Sequence, residues 1–189
     1  SRLPVLERMK HQLIRAGIAE PAFTMKPDLS WAIRNVKNII NQNFDGDYIL
    51  IFPFCSPKLE KKKWPYYQDL IKLINQNYGL KYNIAIIPGP NEIEKSKDFK
   101  VNIILNKNKY VNIIELISLI KSSSYIISND TGPAHISAHL NKKGLVLFGS
   151  HTSPEKVSIE SENFKSITVK NLKDLKVSQV FERIRDDLN

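Results

Sequence analysis

One stretch of this sequence, Asn129-Asp130-Thr131-Gly132-Pro133 with His135 close behind, has the residue types and spacing of an anion site. It follows directly on the apolar run Tyr125–Ser128, so a strand leads straight into a helix start. Thr131 suits the cap of that helix, and Pro133 suits its first turn, where a missing N–H costs nothing. Gly132, with no Cβ, lets a ligand approach the backbone closely. The unpaired N–H groups and the helix dipole then point at whatever sits above them, which favours a phosphate. His135 lies about one turn in and can add a donor. An ordinary capped strand-to-helix turn would share much of this pattern. The coincidence of Asp, Thr, Gly, Pro and His at one strand end favours the phosphate site. His135 and His139 stand at i, i+4, as zinc ligands can. No Glu lies between them and no third ligand is apparent, so no metal is expected.

Three further segments carry polar groups at comparable places. Lys61-Lys62-Lys63-Trp64-Pro65 follows the apolar run Tyr48–Pro53. A lysine there can meet a diphosphate as a point charge, or the segment is a solvated basic loop. Lys62, at a loop end, is expected to bury little and to matter little for stability. Glu92, in Pro88-Gly89-Pro90-Asn91-Glu92, follows the run Asn83–Ile87. It can bind ribose hydroxyls, or equally complement the dipole of a helix start. Phe148-Gly149-Ser150 ends another apolar run. Gly149 there gives room for a ligand, or simply makes a turn. Cys55 has no evident base partner and reads as structural.

The elements that must position these groups follow from periodicity. Pro4 to Ala16 reads as a helix ended by Gly17, residues 21–27 as a loop, and Asp28 as the N-cap of a second helix reaching Asn41. Strands are expected over Tyr48–Phe52, Asn83–Ile87, Val101–Leu105, Tyr125–Ser128, Gly144–Phe148 and Ser166–Val169. Helices are expected over Trp64–Asn75, Asn112–Lys121, Thr131–Leu140 and Val177–Leu188. Strands that alternate with helices and are apolar throughout form a parallel sheet covered on both faces. The expected fold is therefore α/β, a Rossmann-like parallel sheet over residues 46–189, with residues 1–45 as a helical arm or linker. In such a sheet, ligands bind at the carboxyl ends of the strands, where all four segments fall.

Composition narrows the function classes. A chain of 189 residues, 42% apolar and 25% charged, can bury a core without staples. Its single cysteine excludes an internal disulfide and fits a reducing compartment. No apolar run reaches the length of a membrane span, and the first residues, which do not begin with Met, lack an apolar signal core. The net charge of +9 favours acidic partners, yet its lysines are spread over the chain without interleaved aromatics. With no helix-turn-helix pattern, zinc spacing or RNP motif, nucleic acid is not expected as a partner.

Taken in order, the four segments resemble the C-terminal domain of glycosyltransferase family 9, the lipopolysaccharide heptosyltransferases. The family pattern runs K-x-W-P, G-x-x-E, D-T-G-x-x-H, then F-G with T-x-P shortly after. Here stand Lys62-Lys63-Trp64-Pro65, Gly89-Pro90-Asn91-Glu92, Asp130-Thr131-Gly132-Pro133-Ala134-His135, and Phe148-Gly149 with Thr152-Ser153-Pro154. The register holds from about Tyr48 to Pro154, and D-T-G-x-x-H is the specific segment. Cys55-Ser56-Pro57 and a longer loop replace the small hydroxyl residues that the family carries before the lysine.

The resemblance implies the C-terminal half of a GT-B glycosyltransferase, in which two Rossmann-like domains face across a cleft. It implies an ADP-heptose-like nucleotide-sugar donor, with Lys62 and the backbone of Thr131 and Gly132 at the diphosphate. Asp130 and His135 would lie beside phosphates and sugar, Glu92 at the ribose, and Gly149 at the donor. Transfer would be metal-independent, with inversion, to a lipopolysaccharide or related glycan acceptor at the membrane surface. A cytoplasmic protein, peripheral at the inner face of the bacterial inner membrane, is expected. The acidic general base belongs to the family's N-terminal domain, so no catalytic residue is assigned and the chain alone is expected to be inactive. The alternative is a non-catalytic nucleotide-binding module that pairs with another chain.

Overall fold

Side chains along Tyr48–Phe52 alternate between two cores, and that alternation dictates the architecture. Ile49 and Ile51 join one buried cluster, while Tyr48, Leu50 and Phe52 join another. A strand buried on both faces must lie inside a sheet covered on both sides. The computed structural model describes residues 3–18 and 27–189. The elements are α1 (Val5–Arg15), α2 (Lys37–Asn41), β1 (Tyr48–Phe52), α3 (Tyr67–Tyr78), β2 (Asn83–Ile86), α4 (Ile93–Ser96) and β3 (Asn102–Ile103). They continue with α5 (Ile113–Ser122), β4 (Tyr125–Asn129), α6 (Gly132–His139), β5 (Gly144–Phe148), α7 (Pro154–Val157), β6 (Phe164–Thr168) and α8 (Val177–Leu188).

The six strands form one sheet in the order β3-β2-β1-β4-β5-β6, and all pairings are parallel. α3 and α8 cover one face through Leu70, Ile74, Val180 and Ile184. α5 and α6 cover the other through Leu119, Ile120, Ala134 and Ala138. Strand order reverses between β1 and β4, so the chain leaves these neighbours in opposite directions and opens a crevice at their carboxyl ends. The Rossmann-like α/β sheet expected from the sequence is present.

Several boundaries differ from the sequence reading. The single helix expected from Asp28 to Asn41 is broken into a 3-10 turn, Ser30–Ala32, and α2, with Ile33 extended between them. Polar side chains compete with helix formation here. Asp28 Oδ1 accepts from Ser30 N, Asn35 Oδ1 accepts from Lys37 N, and Arg34 N donates out of the segment to Ser118 Oγ on α5. α3 starts at Tyr67 rather than Trp64, because Pro65 holds Trp64 out of helical geometry and the Trp64 N–H is used elsewhere. β3 is only two residues long. Within the stretch read as an arm, Ala32, Val36 and Ile39 are buried, whereas α1 buries no residue fully and packs on α7. The loop expected over 21–27 lies, apart from Pro27, outside the described residues. Among the described residues no helix is long and apolar enough to cross a membrane.

Candidate functional site

Asn129, the last residue of β4, is fully buried, and both ends of its amide are hydrogen-bonded. Its Oδ1 accepts from Trp64 N and from the Tyr67 hydroxyl, each at 3.1 Å. Its Nδ2 donates to Pro53 O at 2.9 Å. One amide therefore ties the end of β1, the loop beyond it and the start of α3 to the end of β4. Trp64, itself buried, adds an Nε1–H bond to Leu175 O at 2.9 Å and an edge-on contact with Tyr67. The loop that carries Lys62 is thereby fixed on both of its flanks.

Asp130 follows and turns its carboxylate into a cluster of cations and imidazoles. Lys62 Nζ donates to Oδ2 at 2.7 Å and approaches Asp130 O at 3.3 Å. His151 Nε2 stands 3.0 Å from the same Oδ2, and His135 Nε2 stands 3.4 Å from Oδ1. Asp130 is 3% exposed and His151 4%, against 21% for Lys62 and 36% for His135. Burial opposes ionisation of Asp130, but the bonds from His135 and Lys62, the Lys62 charge and the His151 bond outweigh it. The carboxyl is held well below the usual carboxylate range. Burial lowers the pKa of His151 despite the Asp130 hydrogen bond, and burial also lowers that of His139.

Thr131 occupies the N-cap of α6 with extended backbone, as its place in the sequence predicts. Its hydroxyl makes no capping bond and donates weakly to Asn129 O instead. With no side chain capping it, the N-terminus of α6 turns its positive dipole end and the Thr131 and Gly132 N–H groups outward, while Pro133 has no N–H and Ala134 N bonds Thr131 O. A Cβ on Gly132 would meet nothing within 4 Å, so this glycine faces open space. Gly149 is different. A Cβ there would stand 3.4 Å from His151 Nδ1 and 3.6 Å from Lys61 O, so the missing side chain makes room for neighbours within the protein.

Glu92 is the N-cap of α4, and its Oε2 accepts from Gly89 N at 2.8 Å. Two cavities flank the cluster. One of about 350 Å³ is lined by Gly89, Glu92, Ile113, Leu116, Thr131 and Pro133. The other, about 690 Å³, is lined by His135, His139, His151 and Thr152, with Met9 of α1 and Lys156 of α7 across from them. Lys62, Asp130, Thr131, Gly132 and His135 thus meet at one place between two cavities, Glu92 borders the smaller, and Gly149 stands behind His151. Cys55 lines the smaller cavity, with its thiol on Leu59 O and its pKa raised by burial. Among the described residues no group of three or more His, Cys, Asp or Glu is disposed to hold a metal ion.

Sequence reasoning missed Asn129 and His151. A polar amide at the end of the strand run Tyr125–Ser128 was a usable signal for Asn129, since a buried amide must be bonded. His151 lies in a polar turn with no period, and nothing local marks it.

The fold has close counterparts among solved structures. Escherichia coli heptosyltransferase WaaC with ADP superimposes with a TM-score of 0.72 at 18% identity, covering 99% of this chain and 57% of that one. E. coli ADP-heptose lps heptosyltransferase II gives 0.67 at 18% identity, covering 92% and 56%. The UDP-GlcNAc 2-epimerase of Methanocaldococcus jannaschii gives 0.63 at 21% identity, covering 98% and 54%. The chain thus spans a little over half the length of these proteins. No curated protein sequence matches it. Residues 6–183 match the family described as glycosyltransferase family 9 (heptosyltransferase), and with nearly the whole chain inside that match the protein belongs to this family.

Proposed function

We propose that these 189 residues form the donor-binding unit of a glycosyltransferase that takes an ADP-sugar, with ADP-heptose as the type of donor. The observation that carries the reading is the open N-terminus of α6 beside the Lys62–Asp130 pair, with a cavity on either side. The diphosphate sits on the Thr131 and Gly132 N–H groups, where the helix dipole and the Lys62 ammonium meet its charge. The nucleoside occupies the smaller cavity with its ribose at Glu92, and the sugar enters the larger one past His135. Lys62 and the helix end already supply positive charge where the leaving diphosphate develops negative charge, so transfer proceeds without a metal ion; by resemblance to the family, it is a single displacement that inverts the anomeric carbon.

Transfer also needs a base to take the proton of the acceptor hydroxyl. Asp130 is a poor candidate, since its partners hold it ionised far below the usual range. Glu92 is engaged with Gly89 N. As the resemblance implies, we place the base and the seat of the lipopolysaccharide-type acceptor, at the cytoplasmic membrane face, outside these residues, so that the chain alone binds donor without transferring sugar.

Calorimetry with ADP in the presence and absence of EDTA tests the binding claim. Metal-independent binding is expected. Binding that disappears in EDTA refutes the metal-free claim, and no binding at millimolar ADP refutes the donor reading. Incubation with ADP-heptose and a heptose-deficient core, followed by mass spectrometry, tests the division of labour. Robust product from this chain alone would place the base within it.

A further inference from the structure

His151 is as buried as the core strands, yet only one of its ring nitrogens has a partner. Nε2 faces Asp130 Oδ2 at 3.0 Å, and Nδ1 is buried with none. Its ring stacks on Phe148, at 6.1 Å between centroids and 17° between planes. Its Nδ1 edge is the near neighbour of the space left by Gly149. A face and two edges of the ring are thus defined by the fold.

This surrounding selects a tautomer. A proton on Nδ1 would bury an N–H donor with no acceptor, and would turn the bare Nε2 lone pair toward a carboxylate oxygen. A proton on Nε2 makes a charge-assisted bond to Asp130 and leaves only an acceptor unpaired. Double protonation again buries the orphan donor, and it brings a cation beside Lys61 and Lys62 of the loop after β1. Asp130 at the end of β4, which His135 of α6 also approaches, is the carboxylate on the other side.

Lys62 and His151 share one oxygen of Asp130. Lys62 hangs on a flexible stem and is one-fifth exposed, so its ammonium, with three donors, can meet an arriving diphosphate and depends on Asp130 to be held where it does so. We propose that His151 is a positioning residue of the donor site: its Nε2–H holds the Asp130 carboxylate in place, and with it the Lys62 ammonium, where the diphosphate meets them. The inference rests on the donor reading given above.

The test uses the full 189-residue chain, with ADP and adenosine as probes. His151→Leu should weaken ADP by about tenfold, through the charge-assisted Lys62–diphosphate contact that is no longer held in place, while adenosine, which lacks phosphates, changes by less than about twofold. His151→Gln, whose amide N–H can reach Asp130, should recover most of the ADP affinity. In an Asp130→Ala background, His151→Leu should have no further effect on ADP, because its action runs through Asp130. Equal losses for ADP and adenosine, or a full effect without Asp130, would overturn the positioning role. So would unaltered ADP affinity in His151→Leu. Failure of the wild-type chain to bind ADP would instead remove the donor reading itself. Long-range proton–nitrogen spectra of the wild type need no variant. They should show the Nε2–H tautomer of His151, and the Nδ1–H tautomer would overturn the proposal.

Discussion

Asn129→Ala is the most consequential single substitution that the site suggests. The side chain removed accepts from Trp64 N and Tyr67 Oη and donates to Pro53 O, and both aromatic partners are buried. Each of the three bonds is worth about 1 kcal/mol net, and a buried group left without its partner costs roughly 1–3 kcal/mol more. Water entering the vacated space can satisfy part of this, so the expected loss is about 3–5 kcal/mol. That is a large part of a total stability on the order of 5–15 kcal/mol. Urea denaturation followed by far-ultraviolet circular dichroism measures it, with a thermal midpoint lower by roughly 8–15 °C as the companion readout. Asn129→Asp separates geometry from charge: it keeps the acceptor for Trp64 and Tyr67, loses the donor to Pro53, and adds a carboxylate beside Asp130. It should also destabilise, and increasingly as pH rises through the carboxylate range. A loss below about 1 kcal/mol for Asn129→Ala would refute the view that this amide joins the two central strand ends.

Four further outcomes are expected. Lys62→Ala should cost about 1–3 kcal/mol of stability, contrary to the neutrality expected of a loop-end lysine, because it strips the nearly buried Asp130 of its ammonium partner; denaturant titration reads this, and calorimetry should read a parallel loss of ADP affinity. Since Asp130 has a depressed folded pKa, its contribution is complete above about pH 5 and is lost as pH falls below the unfolded value of about 4. Stability measured from about pH 5 to about pH 3 should therefore fall less steeply in Asp130→Asn, and equal slopes would contradict this. Gly132→Ala, whose Cβ meets open space, should leave stability within about 0.5 kcal/mol of wild type but weaken ADP binding. Gly144→Ala, whose Cβ would stand 2.7 Å from Ile126 O, should cost about 1–3 kcal/mol or more by forcing β4 and β5 apart, as a thermal melt would reveal.

The inner strands were legible because they are short apolar runs broken by Pro, Gly or polar residues, whereas the edge strand β6, Phe164–Thr168, begins two residues before the Ser166 expected for it. Tyr48–Phe52 and Gly144–Phe148 emerge as read. Asn112 also does its helix-start work openly, with a reciprocal bond to Glu115. Less visible was anything fixed by distant partners. The apolar spacing of Asp28–Asn41 suits a helix, but Ser118, more than 80 residues away, takes the Arg34 N–H. Asp130, Thr131, Gly132 and His135 could be chosen from local grammar, because a helix start announces itself in sequence. His151 could not, since its role exists only once β5 lies beside β4 and brings the turn at residues 149–151 over Asp130.

The neighbouring placement of β1 and β4 also sets an order of events as the chain folds. β1, α3 and β2 are adjacent along the chain and can pair soon after they leave the ribosome. The Lys62 loop then has no anchor, for Asn129 comes 76 residues after Pro53, and Asp130 comes 68 after Lys62. Closing loops of this length adds only slowly growing entropy, so docking of β4 costs time more than stability. Until it occurs, Trp64 and the inner edge of β1 stay exposed, the surface on which a half-made sheet meets another chain. Slow synthesis before Asp130 has emerged would prolong that interval, which ends fully only when the turn carrying His151 and the carbonyl of Leu175 that accepts from Trp64 have joined the sheet.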